Sequence, residues 1–187
     1  MFFRCKTEKA IQAAAVLLRL AADRRMSYLR LLKLLYIADR ESLKRSLRPI
    51  IGSRPVAMKE GPLHSEVLDL VKGRHVDEPL WSEYIRRDRY EIELLKDPGV
   101  SELSRFEIDL LTEIFEDLAS ESDWEIVERT HCFPEWDKNY PDKSANTSCT
   151  IPFEDLIDAV GRSAEKETIL EEARQDAAIE HLFDRSS

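Results

Sequence analysis

Apolar side chains recur along the chain at the spacing of an amphipathic helix, most clearly between residues 27 and 48. Four of them share one helix face: Leu31, Leu34, Leu35 and Ala38. Ser27 suits the N-cap of this helix. Pro49 predicts its end, because the residue before a proline is disfavoured in the α region. Further apolar residues widen the face, so the pattern predicts a helix that is mostly buried.

The same spacing predicts six further helices, at about residues 7–24, 65–72, 104–118, 122–130, 150–160 and 163–183. Two of them begin with a capping box, Ser104 with Glu107 and Ser122 with Glu125. These motifs predict where two helices start more sharply than periodicity does.

Strict alternation of apolar and charged residues marks the second half of a β-hairpin predicted over residues 80–95, with its turn at 87–89. A short strand at residues 56–58 is expected to add to that hairpin as a third strand. Pro55 predicts that this strand is short or at an edge, because proline lacks an N–H. Gly61 and Pro62 predict a corner before the next helix.

These elements predict one α+β domain that is predominantly helical, a helical core with a small antiparallel β-sheet on one side. Residues 1–162 form the domain, and residues 163–187 form an acidic C-terminal helix that extends it. The length, 187 residues, suits a single domain.

Composition favours a cytoplasmic protein without a disulfide framework. The chain has 3 Cys, an odd number without paired spacing. Glu8 and Arg19 interrupt the apolar run near the N-terminus, so we expect a helix there and no signal peptide. No stretch approaches the roughly 20 apolar residues of a membrane span.

Charge is unevenly distributed. Residues 1–59 contain 14 Lys and Arg against 4 Asp and Glu, whereas residues 60–187 contain 14 against 33. On the helix after Ser27, five basic residues fall within about 80° of one face: Arg30, Lys33, Arg40, Lys44 and Arg48. This basic face has three interpretations: pairing with the protein's own acidic surface, an acidic protein partner, or nucleic acid.

Catalytic and metal motifs are missing from the sequence. The His and Cys residues show none of the spacings typical of zinc sites, and the glycines never cluster into a phosphate-binding loop. His131 and Cys132 are adjacent, which is a poor arrangement for a base and its nucleophile. We therefore expect no enzyme activity, no metal and no cofactor. A small hydrolase built on these two residues is the alternative.

Two short segments are candidates for contact with a partner. His131 and Trp136 belong to a cluster of polar and aromatic residues, where Trp136 either closes a core edge or forms a binding hot spot. Lys59 and His64 flank the Gly61-Pro62 corner, either as an ordinary turn or as an exposed ridge. With Arg40, Lys44 and Arg48 of the basic face, these are the predicted partner-binding residues.

Three blocks of the sequence resemble the Panacea domain, the SocA-like antitoxin family. They read KLLYIADRESLKRS, RPIIGSRPVAMKEGPLHSEVLDLVKG and DWEIVERTHCFPEW. The resemblance covers roughly residues 10–140. It implies a protein that neutralises a toxin, usually encoded next to it, by direct protein contact.

The resemblance also sets expectations about partners. Members of the family pair with very different toxins, and one branch delivers its toxin to a cytoplasmic AAA+ protease as a proteolytic adaptor. Carriage on a prophage is an expectation from the family alone. A homo-oligomer is compatible with the sequence, and no membrane partner is expected. The alternative function is a nucleic-acid-binding regulator that uses the basic second helix.

Overall fold

The structure is a computed structural model that describes Phe3 and residues 5–140 and 147–184, with side chains described up to residue 178. Within these residues the chain forms nine α-helices: α1 Thr7–Leu20, α2 Tyr28–Ser46, α3 Ser65–Val71, α4 Glu78–Tyr84, α5 Arg105–Asp117, α6 Asp123–His131, α7 Pro134–Asn139, α8 Phe153–Ala159 and α9 Lys166–Asp184. The predicted class, α+β and predominantly helical, is confirmed.

Six short strands form two antiparallel sheets in the described part of the chain: β1 Arg25–Ser27, β2 Pro55–Met58, β3 Gly61–His64, β4 Ile85–Asp88, β5 Glu91–Leu94 and β6 Cys149–Thr150. One sheet has the order β1-β5-β4 and the other β3-β2-β6. The single sheet expected from the sequence is therefore wrong. The strand near Val56 does not join the hairpin, because β1 occupies that position and pairs Met26 with Ile92.

The hairpin predicted over residues 80–95 is confirmed for residues 85–94, whereas residues 80–84 belong to helix α4. Pro79 lies in the first turn of α4, where the missing N–H leaves no helical hydrogen bond unmade. The hairpin consists of β4 and β5, and its turn falls at Arg89, whose φ of 55° is left-handed. That turn lies at the end of the predicted range.

The expected corner at Gly61 and Pro62 is instead the start of strand β3. Strand β2 is central in its sheet, with β3 on one side and β6 on the other. Pro55 is tolerated there because it occupies the first position of the strand. Its carbonyl accepts a hydrogen bond from the N–H of Ile151 at 3.0 Å.

Other boundaries also shift. Helix α1 ends at Leu20, and a 3₁₀ turn at Ala22–Arg24 separates it from β1. Thr150 belongs to β6, so α8 starts at Phe153 instead of Thr150. These changes shorten predicted helices by a few residues and leave their inner faces unchanged.

The helix starts that carry caps are confirmed. The Ser27 hydroxyl accepts a hydrogen bond from the N–H of Arg30, and both capping boxes are closed, at Ser104 and at Ser122. The apolar face predicted for α2 is buried, and α1 and α2 pack together against α5 to form the main core.

A second apolar cluster joins the C-terminal part of the chain to the end of α2. Phe3 and Leu43 contribute to it, together with residues of α8 and α9 and the segments around them: Phe153, Leu156, Ile157, Val160, Ile169, Leu170 and Ala173. We call residues 149–184, with β6, α8 and α9, the C-terminal unit. The predicted division at residue 162 runs through this cluster, since α8 and α9 share it.

No helix among the described residues has the length and apolarity that crossing a bilayer requires.

Candidate functional site

The uneven charge of the chain is largely balanced within the fold. Among the described residues, seven basic side chains from residues 1–59 pair with acidic side chains further along: Lys9 with Glu107, Arg19 with Asp97, Arg25 with Glu91, Arg30 with Asp123, Arg40 with Glu135, Arg45 with Glu113, and Arg48 with Glu172 and Asp176. Of the three interpretations of the basic face, self-pairing has direct support.

The basic face itself is not one solvated stripe, which corrects the expectation. Lys33 is fully buried, and the side chain of Arg40 is only 13% exposed. Arg48 lies beyond the end of α2, which is Ser46. Lys44 and Arg48 remain about half exposed, at 53% and 54%. A contiguous helix face for phosphate binding is therefore not present on α2.

The C-terminal unit contacts all three of the predicted partner-binding residues near the end of α2. Arg40 donates from Nη2 to the carbonyl of Ala159 at 3.2 Å. Arg162 donates from Nε to the carbonyl of Lys44 at 2.7 Å. Arg48 pairs with Glu172 and Asp176.

Beneath this contact lies a buried polar cluster centred on Glu135. Its Oε1 accepts a hydrogen bond from the hydroxyl of Tyr36 at 3.1 Å and one from Nε of Arg40 at 3.0 Å. The Arg40 guanidinium also lies 4.3 Å from the ring centre of Phe133. Burial, with Glu135 adding to it, raises the pKa of Tyr36 well above its usual value. This cluster ties α2 to α7.

His64 and Asp39 form the other half of the buried cluster. Asp39 accepts three backbone N–H groups from residues 50–52, at 3.0, 2.8 and 3.1 Å. Burial is the main effect on its carboxyl and raises its pKa, against the opposing effect of His64 and these donors. His64 is 2% exposed. The expectation of an exposed ridge is therefore wrong for His64, because β3 packs its side chain inward.

Three atoms of this buried cluster lack a hydrogen-bond partner among the described residues: Nδ1 and Nε2 of His64, and Oε2 of Glu135. His64 Nε2 lies 3.3 Å from Oδ2 of Asp39, without hydrogen-bond geometry. A cavity of about 10 Å³ adjoins His64 and Tyr36. Phe153 and Leu156 of α8 form part of its wall.

A second contact region joins the β2–β3 hairpin to α2 and α6. Gly61 has a φ of 90°, and a Cβ there would lie 2.4 Å from Thr130 Oγ1 and 3.0 Å from Lys33 Nζ. Lys33 donates to the carbonyl of Pro62 at 2.8 Å. Burial lowers the pKa of Lys33 to about 7. The close approach of the hairpin therefore depends on glycine.

His131 and Trp136 stack with ring centres 4.2 Å apart, beside the same hairpin. Trp136 donates from Nε1 to the carbonyl of Met58 at 2.8 Å and is 5% exposed. Of the two alternatives for this residue, Trp136 therefore closes a core edge and does not form an exposed hot spot. His131 is partly exposed, and its Nε2 lies 3.1 Å from the carbonyl of Lys59. Lys59 itself is exposed at the hairpin turn.

The geometry gives no support to a hydrolase at His131 and Cys132. The thiol of Cys132 lies 3.6 Å from the carbonyl of Glu128, and His131 Nδ1 lies 3.5 Å from the Glu128 carboxylate. Both ring nitrogens of His131 thus lie beside other groups. In the described part of the chain no three or more His, Cys, Asp or Glu side chains are placed to hold a metal ion.

Four deeply buried polar residues, Lys33, Tyr36, Asp39 and Glu135, are not identified as such by the sequence analysis. The sequence pattern places Lys33 on the basic face and marks neither Asp39 nor Glu135 as buried. One signal was available for Asp39. It follows the buried residues Leu32 and Leu35 by seven and four positions, so its side chain starts on the core side of the helix.

The sequence of residues in this region matches a known protein family. The family described as "Antitoxin SocA-like, Panacea domain" matches residues 31–137, which is more than half of the chain. The match runs from α2 to α7, includes the buried polar cluster and the β2–β3 hairpin, and ends before the C-terminal unit. Comparison with curated proteins and with solved structures gave no match.

Proposed function

The chain belongs to the Panacea domain family of SocA-like antitoxins, and on this basis we propose that it neutralises a cognate protein toxin by binding it directly. The family match is the observation that carries the proposal. Membership in an antitoxin family favours a regulatory protein over an enzyme. In keeping with this, the polar groups of the matched region mostly join secondary-structure elements to one another.

Four of the predicted partner-binding residues remain accessible for such a contact. Lys44 and Arg48 are about half exposed at the end of α2, and Lys59 and His131 lie together at the hairpin turn. Charged and aromatic groups on a rigid framework suit recognition of a protein surface. We assign the toxin contact to these two regions, with Arg40, His64 and Trp136 supporting them from the interior.

The route of neutralisation within this proposal is either simple occlusion or delivery to a cytoplasmic AAA+ protease. The two routes predict different toxin levels in the cell. Delivery shortens the half-life of the toxin when this protein is present, and the half-life recovers when the protease is removed. Occlusion leaves the half-life unchanged or longer.

Growth rescue tests the proposal. The reading frame adjacent to this gene is expressed alone and with this protein. We expect arrest of growth in the first case and recovery in the second. A double variant, Lys44→Glu with Lys59→Glu, should lose rescue. Lys72→Glu, at an exposed lysine just after helix α3, should keep it. A neighbour that is harmless alone would remove the antitoxin proposal.

A further inference from the structure

The C-terminal unit, residues 149–184, covers part of the family domain although it lies outside the matched range. Strand β6 joins β2 through two residue pairs, Val56 with Thr150 and Ala57 with Cys149. Helix α8 then packs on α2 and α7. The C-terminal unit is therefore an addition to the family domain, and it packs on a surface that the matched residues form. We call that surface, around Arg40, Leu43 and Arg48, the seat, and the C-terminal unit its cover.

The seat has an apolar centre. Leu43 of α2 is fully buried and lies in one cluster with Phe153, Leu156 and Ile157 of α8. The ring of Phe3 packs edge-on against Phe153, with centroids 5.9 Å apart. An exposed Leu43 side chain without this cover would leave an apolar patch at the end of α2.

The edge of the seat is basic, and the cover supplies acidic partners. Arg48 pairs with Glu172 and Asp176 of α9, and Arg40 donates to the carbonyl at the end of α8. The ion pairs of Arg48 are open to solvent, so each contributes little to stability. Charge here specifies the partner's chemistry more than it holds the cover in place.

Beneath the cover, the fold retains polar groups without partners. Nδ1 of His64 and Oε2 of Glu135 are buried without a hydrogen-bond partner among the described residues, and Nε2 of His64 has only its 3.3 Å contact with Oδ2 of Asp39. A buried polar atom without a hydrogen bond makes the folded state less stable. Displacing α8 would admit water to the cavity that Phe153 and Leu156 help to close, and would relieve part of this cost. The closed arrangement is therefore less stable than its apolar contacts alone would make it.

From these observations we propose that the surface under the C-terminal unit is the docking surface for a helical partner segment with an apolar face and an acidic edge, and that the unit covers this surface in the unbound protein. This inference rests on the proposed function for the partner's identity, a protein toxin. It goes beyond that function in naming the surface, the chemistry of the segment and the competition with the chain's own α8 and α9.

The cover itself is the template for the partner's chemistry. On α8, Phe153 is followed one helical turn later by Leu156 and Ile157, and all three share an apolar cluster with Leu43. On α9, Glu172 and Asp176 pair with Arg48. Binding of an amphipathic helix in an apolar groove uses anchors at this spacing. A partner helix with an apolar face and an acidic edge would make the same contacts with Leu43 and Arg48. It would displace α8 and α9 as it bound.

A disulfide that locks the cover tests the proposal on the full-length protein. Ala57 and Cys149 face each other in an antiparallel ladder, where Cα atoms lie about 4.5–5.5 Å apart. Disulfides accept that separation. The variant Ala57→Cys should therefore crosslink to Cys149 on oxidation and open again on reduction. Both Ala57 and Val56 are buried, and Ala57→Cys adds volume. A second lock therefore uses the neighbouring pair, Val56→Cys with Thr150→Cys in a Cys149→Ser background, where the new cysteine is smaller than the valine it replaces.

Affinity for the purified product of the adjacent reading frame is measured with each lock oxidised and reduced. We expect oxidation to weaken binding at least about 10-fold, a change of roughly 1.4 kcal/mol, and reduction to restore it. Ala57→Ser is the control and should respond to neither treatment. Equal affinity of the oxidised and reduced locks would overturn the proposal.

Hydrogen exchange separates this inference from the proposed function, because it needs no toxin. In the wild-type protein, the amides of α8 should exchange at least about 10-fold faster than those in the middle of α2, and the oxidised lock should slow them. If α8 exchanges together with α2, the cover does not open and the inference is wrong. If α8 opens but no form of the protein binds the neighbouring product, the proposed function fails separately.

Discussion

At the scale of single residues, Gly61 in the β2–β3 hairpin and Lys33 in α2 determine how closely the hairpin approaches α2 and α6. Gly61 provides a backbone conformation with φ of 90° and leaves room for Thr130 and Lys33. Lys33 places a buried ammonium group against the carbonyl of Pro62. Both features carry a stability cost that can be measured, and both position Lys59 and His131, which we assign to partner contact.

Gly61→Ala should destabilise the protein by about 2–4 kcal/mol, because it adds backbone strain and a clash with Thr130 Oγ1. Gly99→Ala is the matched control. Gly99 also has a left-handed φ, 76°, but a Cβ there meets nothing within 4 Å. Urea unfolding of both variants separates the two effects. A loss at Gly61 no larger than at Gly99 would contradict the close approach of the hairpin.

Lys33→Met should change how stability depends on pH. The pKa of Lys33 is about 7 in the folded protein, below its ordinary 10.5. Between these values the unfolded chain binds one proton more, so the free energy of unfolding of the wild type rises with pH. From pH 7 to 9 we expect the wild type to gain about 2 kcal/mol relative to Lys33→Met.

Urea unfolding at pH 7, 8 and 9 measures this difference. Lys72→Met, at an exposed lysine, should keep the wild-type slope. The measured pH range ends at pH 9 because of Cys5, whose pKa burial raises to about 12 in the folded protein. At higher pH this thiol ionises in the unfolded chain first, and the free energy of unfolding then falls as pH rises. Parallel curves for Lys33→Met and the wild type would show that Lys33 is not held in a dry environment.

At the scale of secondary-structure elements, the sequence predicts those elements whose apolar pattern repeats over several turns or whose start carries a local capping motif. The 19 residues of α2 contain several turns of apolar periodicity, and the capping boxes at Ser104 and Ser122 are local motifs with a fixed spacing. Strands β1 and β6 have three and two residues, too few to show alternation. Their pairing depends on distant partners, so the division into two sheets could not be predicted locally.

The candidate site was harder to predict than the fold. Charged residues are usually solvated, so the basic face predicted from the sequence includes Lys33, whereas the structure buries both Lys33 and Asp39. Burial of Asp39 depends on three N–H donors from residues 50–52, which reach it only after the chain folds back. His64 depends in the same way on strand β3. Long-range contacts of this kind leave no local pattern in the sequence.

At the scale of the whole molecule, the basic first third and the acidic remainder mostly neutralise each other. The net charge of −9 is left on a surface whose basic groups are largely paired. This balance argues against long-range attraction of nucleic acid, which needs a basic field. It favours short-range recognition, in which a few accessible cations, among them Lys44, Arg48 and Lys59, contact a protein partner.

Direct binding of the purified protein to the purified product of the adjacent reading frame tests the central claim most directly. Calorimetry is run on the wild type, on Lys44→Glu with Lys59→Glu, and on Lys72→Glu as the control. We predict a defined stoichiometry for the wild type and control, and at least a 10-fold loss of affinity for the double variant, or about 1.4 kcal/mol. No heat of binding with a neighbour that arrests growth would contradict neutralisation by direct contact.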